Sequence, residues 1–272
     1  MKKLVAGILT ASLALSLAAC GNKDKAGSDN ELVVGASNTP HAVILEKAKP
    51  ILKKEGIDLK IEKYQDYVLP NKDLDNGDLD ANYFQHIPYL EEQMKDNNYD
   101  FAIAGKIHIE PIGVYSQKYK SLDKLPDGAT ILISNSVTDQ GRTLQLLQAN
   151  KLITLKKGVD PTKAVIKDID KNPKHLKIDG GTAPEMLVQM YKNGEGDAVV
   201  INSNFAIDAG LVPTKDAIAI ESSDSPYVNV VAVKKKNKDN KAVKKLVDAL
   251  HSKEIQDFIT KEWKGSVVPV SK

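Results

Sequence analysis

Cys20 is the only cysteine in this 272-residue sequence, so no disulfide can form within the chain and its stability has to come from a buried core. Long apolar runs are missing as well. The one candidate, residues 4–17, is shorter than the roughly 20 residues that a membrane-spanning helix takes. Charge of one sign is not in surplus: 38 Lys and Arg stand against 36 Asp and Glu. Without Lys2 and Lys3 the two are even at 36 each, which leaves no electrostatic footprint for a nucleic-acid partner. The sequence also has no Gly-x-Ser-x-Gly elbow, no Walker loop, no dinucleotide glycine fingerprint and no His-Glu-x-x-His. Neither catalysis nor a bound cofactor is therefore expected.

The N-terminus is where the sequence turns informative. Met1-Lys2-Lys3 is basic, residues 4–17 are apolar, and Leu17-Ala18-Ala19-Cys20 has the form of a bacterial lipobox. The short apolar run reads as a signal peptide over residues 1–19, removed to leave Cys20 as a lipidated first residue. The expected location is the outer face of the cell membrane. Residues 20–30 are small, polar and charged, and read as a tether reaching on the order of 15 to 20 Å. About 250 residues then remain, enough for a core in one large domain or two lobes.

From Leu32 onward, short β-type runs alternate with longer amphipathic stretches, the pattern of an α/β fold with a mixed, mostly parallel sheet flanked by helices. Residues 32–36 read as a buried strand, 41–54 as a helix with Val43, Ile44, Ala48, Ile51 and Leu52 at helical spacing, and 57–64 as a second strand. The phrase Gly77-Asp78-Leu79-Asp80-Ala81 returns in altered form as Gly194-Glu195-Gly196-Asp197-Ala198. Each is followed by a polar and aromatic cluster, which suggests two lobes of like construction. Residues 106–116 and 225–233 are extended runs interrupted by Pro. They read as two crossover strands between one lobe, residues 31–112 plus 228–272, and another, residues 113–227. Such a two-lobed arrangement places strand ends and helix N-termini on either side of a cleft.

Arg142 is the single arginine, every other basic residue being lysine. A guanidinium differs from an ammonium in offering a planar fork to a carboxylate. The sequence predicts a strand at 129–134, a polar turn at 135–141 and a helix at 143–150, which puts Arg142 beside free backbone N–H groups at a helix start. Tyr64, Tyr67, Tyr83, Phe84 and Tyr89 fall within 26 positions of a chain that is only 5% aromatic. Tyr67 and Phe84 are the expected pocket walls for an apolar or thioether side chain, and Tyr64, Tyr83 and Tyr89 the expected core. His41, His86 and His108 raise a metal site, but no His-x-x-x-His pair and no thiol supports one. No metal is expected, and His86 reads as a hydrogen-bonding pocket residue.

Several phrases together carry a resemblance. Pro40-His41-Ala42, Asp66-Tyr67-Val68-x-Pro70-Asn71, Leu79-Asp80-Ala81-Asn82-x-Phe84-Gln85-His86-x-Pro88-Tyr89-Leu90, His108-x-Glu110-Pro111, Ile201-Asn202 with Asn204, and Ser225-Pro226-Tyr227-x-Asn229-Val230 resemble the NlpA/MetQ family of methionine-binding lipoproteins. The likeness runs from about Leu32 to the C-terminus. It implies a two-lobed, periplasmic-binding-protein-like fold and a monomeric solute-binding protein that closes on methionine, L- or D-, or on a methionine-containing dipeptide, and delivers it to an ABC permease and its ATPase. By motif, Tyr67, Phe84 and His86 would surround the ligand side chain, Arg142 would take its carboxylate, and Asn202 and Asn229 would fix its backbone. Residues 134–139 and 179–185 depart from the family pattern, both in the second lobe. A metal-carrying binding protein and a lipid-anchored hydrolase are the alternatives.

Overall fold

The computed structural model describes residues 30–271, so the lipobox, Cys20 and most of the expected tether lie outside the described residues. The chain begins with β1 (Glu31–Ser37), α1 (Val43–Lys54), β2 (Asp58–Tyr64), α2 (Leu69–Asn76), β3 (Ala81–His86), α3 (Ile87–Asn97) and β4 (Phe101–Ile109). It crosses to a second sheet through β5 (Gly113–Tyr115), β6 (Thr130–Ser134) and α4 (Val137–Ala149), followed by a small pair, β7 (Thr154–Leu155) and β8 (Ile169–Lys171). The second sheet is completed by β9 (Lys177–Thr182), α5 (Leu187–Lys192), β10 (Ala198–Ile201), α6 (Ser203–Asp208), α7 (Pro213–Asp216) and β11 (Ala219–Ile220). The return brings β12 (Val228–Lys234), α8 (Lys241–Leu250), α9 (Lys253–Trp263) and β13 (Val268–Pro269).

The first sheet has the order β13-β4-β12-β3-β1-β2 and the second β11-β5-β10-β6-β9. In the first, β12 and β13 run against the other four strands. In the second, β5 alone runs against its neighbours. The returning β12 wedges between β3 and β4, and its Val230, Val231, Ala232 and Val233 are fully buried. A continuous apolar run is what a strand covered on both faces requires.

Helices cover the sheets by apolar spacing. Ile44, Leu45, Ala48 and Leu52 of α1 meet Val243, Leu246, Val247 and Leu250 of α8 in the first core, a stripe of the width expected for a surface helix. Asn240 caps α8 by accepting from Ala242 N at 2.8 Å and Val243 N at 3.2 Å. α2 ends at Gly77, whose φ of 87° is the left-handed conformation that glycine tolerates best. A separate core of Ile131, Ile133, Leu144, Leu147 and Val200 fills the second lobe.

One boundary differs from expectation in a way that matters. The helix carrying Arg142 starts at Val137, not Thr143, so Arg142 stands in its second turn rather than beside the free N–H groups of its start. Gly141 reads in sequence as the end of a turn but lies inside the helix. A Cβ there would come within 2.8 Å of the carbonyl oxygens of Pro161 and Thr162. A neighbouring turn packs against this bare backbone, a close approach that only glycine allows and that local spacing does not record.

Candidate functional site

Between the two sheets lies a small cavity, part of it open to solvent. Tyr67, Phe84, His86, Arg142, Asn202 and Asn229 all line it, joined by Gln85, Tyr89, Glu110, Asp139, Ser203 and Asn204. Tyr83 and Tyr64 are used elsewhere. Tyr83 is fully buried with its hydroxyl 2.5 Å from His108 Nδ1, and the Tyr64 hydroxyl donates to Asp73 at 2.6 Å. Tyr89, expected in the core, is a wall residue.

The first-sheet wall is aromatic. Tyr67 packs against Phe84, Tyr89 and Phe205 with ring centroids 6.0, 5.9 and 5.0 Å apart. Phe84 sits at a bulge: Gln85 pairs with Val230 and Tyr83 with Val231, so Phe84 has no partner on β12. A bulge turns side chains out of strict alternation, and Phe84, Gln85 and His86 accordingly all reach one cavity. Behind them, Asn71 donates to Gln85 Oε1 at 2.9 Å, while Asn82 and Gln85 donate to Asn71 Oδ1 at 2.9 and 2.7 Å. This buried amide network ties β3 to α2. His86 caps α3, its Nδ1 accepting from Tyr89 N at 3.1 Å. That leaves the proton on Nε2, which faces Asp139 Oδ1 at 3.7 Å.

The second-sheet wall carries charge and amides. Burial pushes the Asp139 carboxyl up, but His86, Arg142 and Ser134 together hold it below the usual carboxylate range. Asn202 donates to both of its oxygens, at 3.2 and 3.3 Å. Arg142 is 3% exposed and lies over the Tyr227 ring at 4.7 Å. Its Nε donates to Glu221 at 2.8 Å, and its Nη2 donates to Glu221 and to the Glu110 carbonyl. One edge of the guanidinium thus finds its carboxylate within the chain, on the segment returning to the first sheet. Nη1 has no partner among the described residues.

Beneath the cavity, Glu110 lies 2.7 Å from His108 Nε2 and 3.1 Å from His41 Nε2. Burial raises the Glu110 carboxyl, with His41 and Arg142 partly opposing. Burial lowers His41 to about 4 and His108 to about 3, so both imidazoles are neutral near pH 7. These three are also a metal-ligating set by type, their donor atoms all within 4.8 Å of one another. They are engaged with each other instead, and Ser37 and Tyr83 hydroxyls meet the two Nδ1 atoms at 2.6 and 2.5 Å. The two walls touch directly: the Tyr67 hydroxyl donates to Asn204 Oδ1 at 2.6 Å, and Ser203 Oγ donates to the Pro111 carbonyl at 2.5 Å.

Glu110 and Asp139 are among the cavity residues that side-chain chemistry alone does not single out. Carboxylates number 36 in this chain, and neither residue stands in a local pattern that marks it as buried. Glu110 does fall within the His108-x-Glu110-Pro111 phrase, which was the available signal.

Known proteins resemble this chain along its whole described length. The model of the family described as NlpA lipoprotein matches residues 32–271. The methionine-binding lipoprotein MetQ of Bacillus subtilis is 50% identical over 274 residues, covering all of both chains. A nutrient binding protein from Burkholderia cenocepacia, solved bound to methionine, is 45% identical with a TM-score of 0.83, covering 88% of this chain and 99% of that one. A periplasmic substrate-binding protein of an ABC transporter from Coxiella burnetii is 37% identical with a TM-score of 0.83, covering 88% of this chain and all of that one.

Proposed function

The chain belongs to the NlpA lipoprotein family, and from that premise we propose that it is the lipid-anchored substrate-binding protein of an ABC importer, taking methionine between its two lobes. The observation that carries this reading is a single cavity with an aromatic wall on one side and a charged, amide-bearing wall on the other. A thioether chain suits the first, each sulfur–ring contact contributing about 0.3 to 1.5 kcal/mol. A zwitterion suits the second. Tyr67, Phe84 and His86 surround the side chain, Arg142 faces the carboxylate with Nη1, and Asn202 and Asn229 hold the backbone. L-methionine, D-methionine and a methionyl dipeptide share this chemistry.

In this reading residues 1–19 are removed, Cys20 bears the lipid and residues 20–30 form the tether. Residues 31–112 with 228–272 make one lobe and 113–227 the other. The protein works as a monomer on the extracytoplasmic face of the membrane and hands its ligand to a permease and ATPase. It binds and does not catalyse. None of the described helices is long and apolar enough to cross a membrane, which suits attachment through Cys20. Closure about the two crossings completes the site from both sides, and the cross-wall bond from Tyr67 to Asn204 belongs to the closed form.

Mass spectrometry of small molecules released by denaturing the purified chain tests the proposal, followed by calorimetry with L-methionine, D-methionine and Gly-Met. The expected result is one of these ligands bound at micromolar Kd or tighter, at least about 8 kcal/mol. A chain that releases none of them and binds none of them would overturn the ligand assignment.

A further inference from the structure

Two of the asparagines that line the cavity, Asn202 and Asn229, are each held by a partner of fixed sense. Asn202 Nδ2 donates to both oxygens of Asp139, and an ionised carboxylate can only accept. The amide therefore cannot turn over. Its Oδ1 is buried, has no partner among the described residues, and belongs to a cavity-lining residue that is 6% exposed. A buried acceptor in that position calls for a donor from the ligand.

Asn229 is held in the opposite sense. His41 Nε2 faces two acceptors, Glu110 Oε1 at 3.1 Å and Asn229 Oδ1 at 3.1 Å. The nitrogen between them carries the proton, so His41 Nδ1 accepts the Ser37 hydroxyl at 2.6 Å. Asn229 Oδ1 is committed to His41, and Nδ2 is the end left to donate.

We propose that Asp139 and the Ser37–His41 pair are positioning residues that set the two amides in opposite senses, Asn202 as acceptor for a ligand's α-ammonium and Asn229 as donor to its α-carboxylate. The charges agree with this direction. Arg142 is already countered by Glu221, which leaves Asp139 as the carboxylate beside the ammonium position. Arg142 and Asn229 both stand against Glu110, one on its carbonyl and the other through His41 on its carboxylate. The assignment rests on the amino-acid reading above and explains why His41 lies buried behind a pocket it does not line.

The test uses calorimetry with methionine and two truncated forms: 3-(methylthio)propylamine, which lacks the carboxylate, and 4-(methylthio)butanoate, which lacks the ammonium. Asp139→Asn is expected to weaken methionine and the amine tenfold or more and to leave the acid within about twofold. His41→Leu should do the reverse, weakening methionine and the acid but not the amine. His41→Gln, whose amide can donate to Asn229 Oδ1, should recover most of that loss. Equal losses of both truncated forms in either variant would overturn the proposal, since a merely structural role does not distinguish the ligand's two ends. Nitrogen-15 spectra of histidine-labelled wild-type chain give a check that needs no ligand and, beyond assignment, no variant. They should report the Nε2–H tautomer at His41, and an Nδ1–H tautomer overturns the proposal. Wild-type protein that binds none of the three compounds sinks the methionine reading alone, and the positioning assignment is then decided by the tautomer.

Discussion

Residues 80–86 and 197–204 begin alike and end differently. Asp80 N donates to the Val33 carbonyl at 2.9 Å while Val33 N donates to Asp80 Oδ2 at 2.8 Å. Asp197 does the same with Thr130, at 2.8 and 2.8 Å. Each aspartate satisfies both backbone groups of one residue on the neighbouring parallel strand, which fixes where the new strand enters. After that the two segments part. β3 continues for six residues and bulges at Phe84, delivering a ring and an imidazole to the cavity. β10 stops after four, Asn202 takes the extended N-cap conformation at φ −61° and ψ 139°, and α6 begins. The same device sets register in both lobes. Whether a wall reads apolar shape or hydrogen-bond sense is decided by the residues C-terminal to the aspartate, a bulged strand in one lobe and a helix start in the other.

The largest effect expected from unbalancing the two walls is at Arg142. Arg142→Ala should weaken ligand binding by about 2 to 5 kcal/mol, because the ligand carboxylate and Glu221 are both left without their cation. Calorimetry checks it, and normal binding by the variant would remove the carboxylate from this wall. The register clamps come next. Asp80→Ala and Asp197→Ala should each cost about 1.5 to 3 kcal/mol of stability, the range for hydrogen bonds to a charged group. Urea unfolding of the two variants would break the parallel between the lobes if one were neutral and the other not.

Acid should distinguish the lobes further. The first lobe buries His41 and His108 with imidazoles lowered by burial to about 4 and about 3, whereas His175 of the second is exposed. The unfolded chain takes up protons near pH 6.5 that the folded chain refuses. Stability is therefore full above that pH and falls from about 6.5 down to about 4 for His41 and about 3 for His108, by up to about 1.4 kcal/mol per pH unit for each imidazole. Glu110, raised mainly by burial, works in the opposite direction by holding its proton in the folded state. The net slope of urea-unfolding free energy against pH should flatten by roughly one proton in His41→Gln. An unchanged slope would mean that His41 does not titrate as its burial requires. The smallest effect belongs to the contact between the walls. Tyr67→Phe loses the bond to Asn204 and should weaken the ligand by about 0.5 to 1.5 kcal/mol, chiefly through faster release. Stopped-flow dissociation would show it.

Much of this was legible in the chain. Apolar spacing predicts β1, α1 and β2 to within a few residues, and the lone arginine and the aromatic cluster both point at the cavity. The start of α4 was not legible, because Gly141 reads locally as a turn residue and the approach of Pro161 and Thr162 to its bare backbone is a tertiary contact. Glu110 and Asp139 were hidden among many carboxylates of the same type. Tyr89 reads as core in the sequence, yet its hydroxyl donates to the Tyr67 carbonyl at 3.0 Å and the residue lines the cavity.

By itself the sequence determined the classes of element, the near balance of charge, and which residue types were rare enough to mean something. Periodicity is a local property, and a few neighbouring residues suffice to state it. Tertiary structure decided which distant residues meet. β12 enters between β3 and β4 and brings Asn229 opposite His86 on one side and His108 on the other. The sense of each amide is decided in the same way, by whether the group behind it donates or accepts. That group is Asp139 for Asn202 and His41 for Asn229, 63 and 188 positions away. No local pattern specifies it, because a hydrogen bond depends on where folding places its partner.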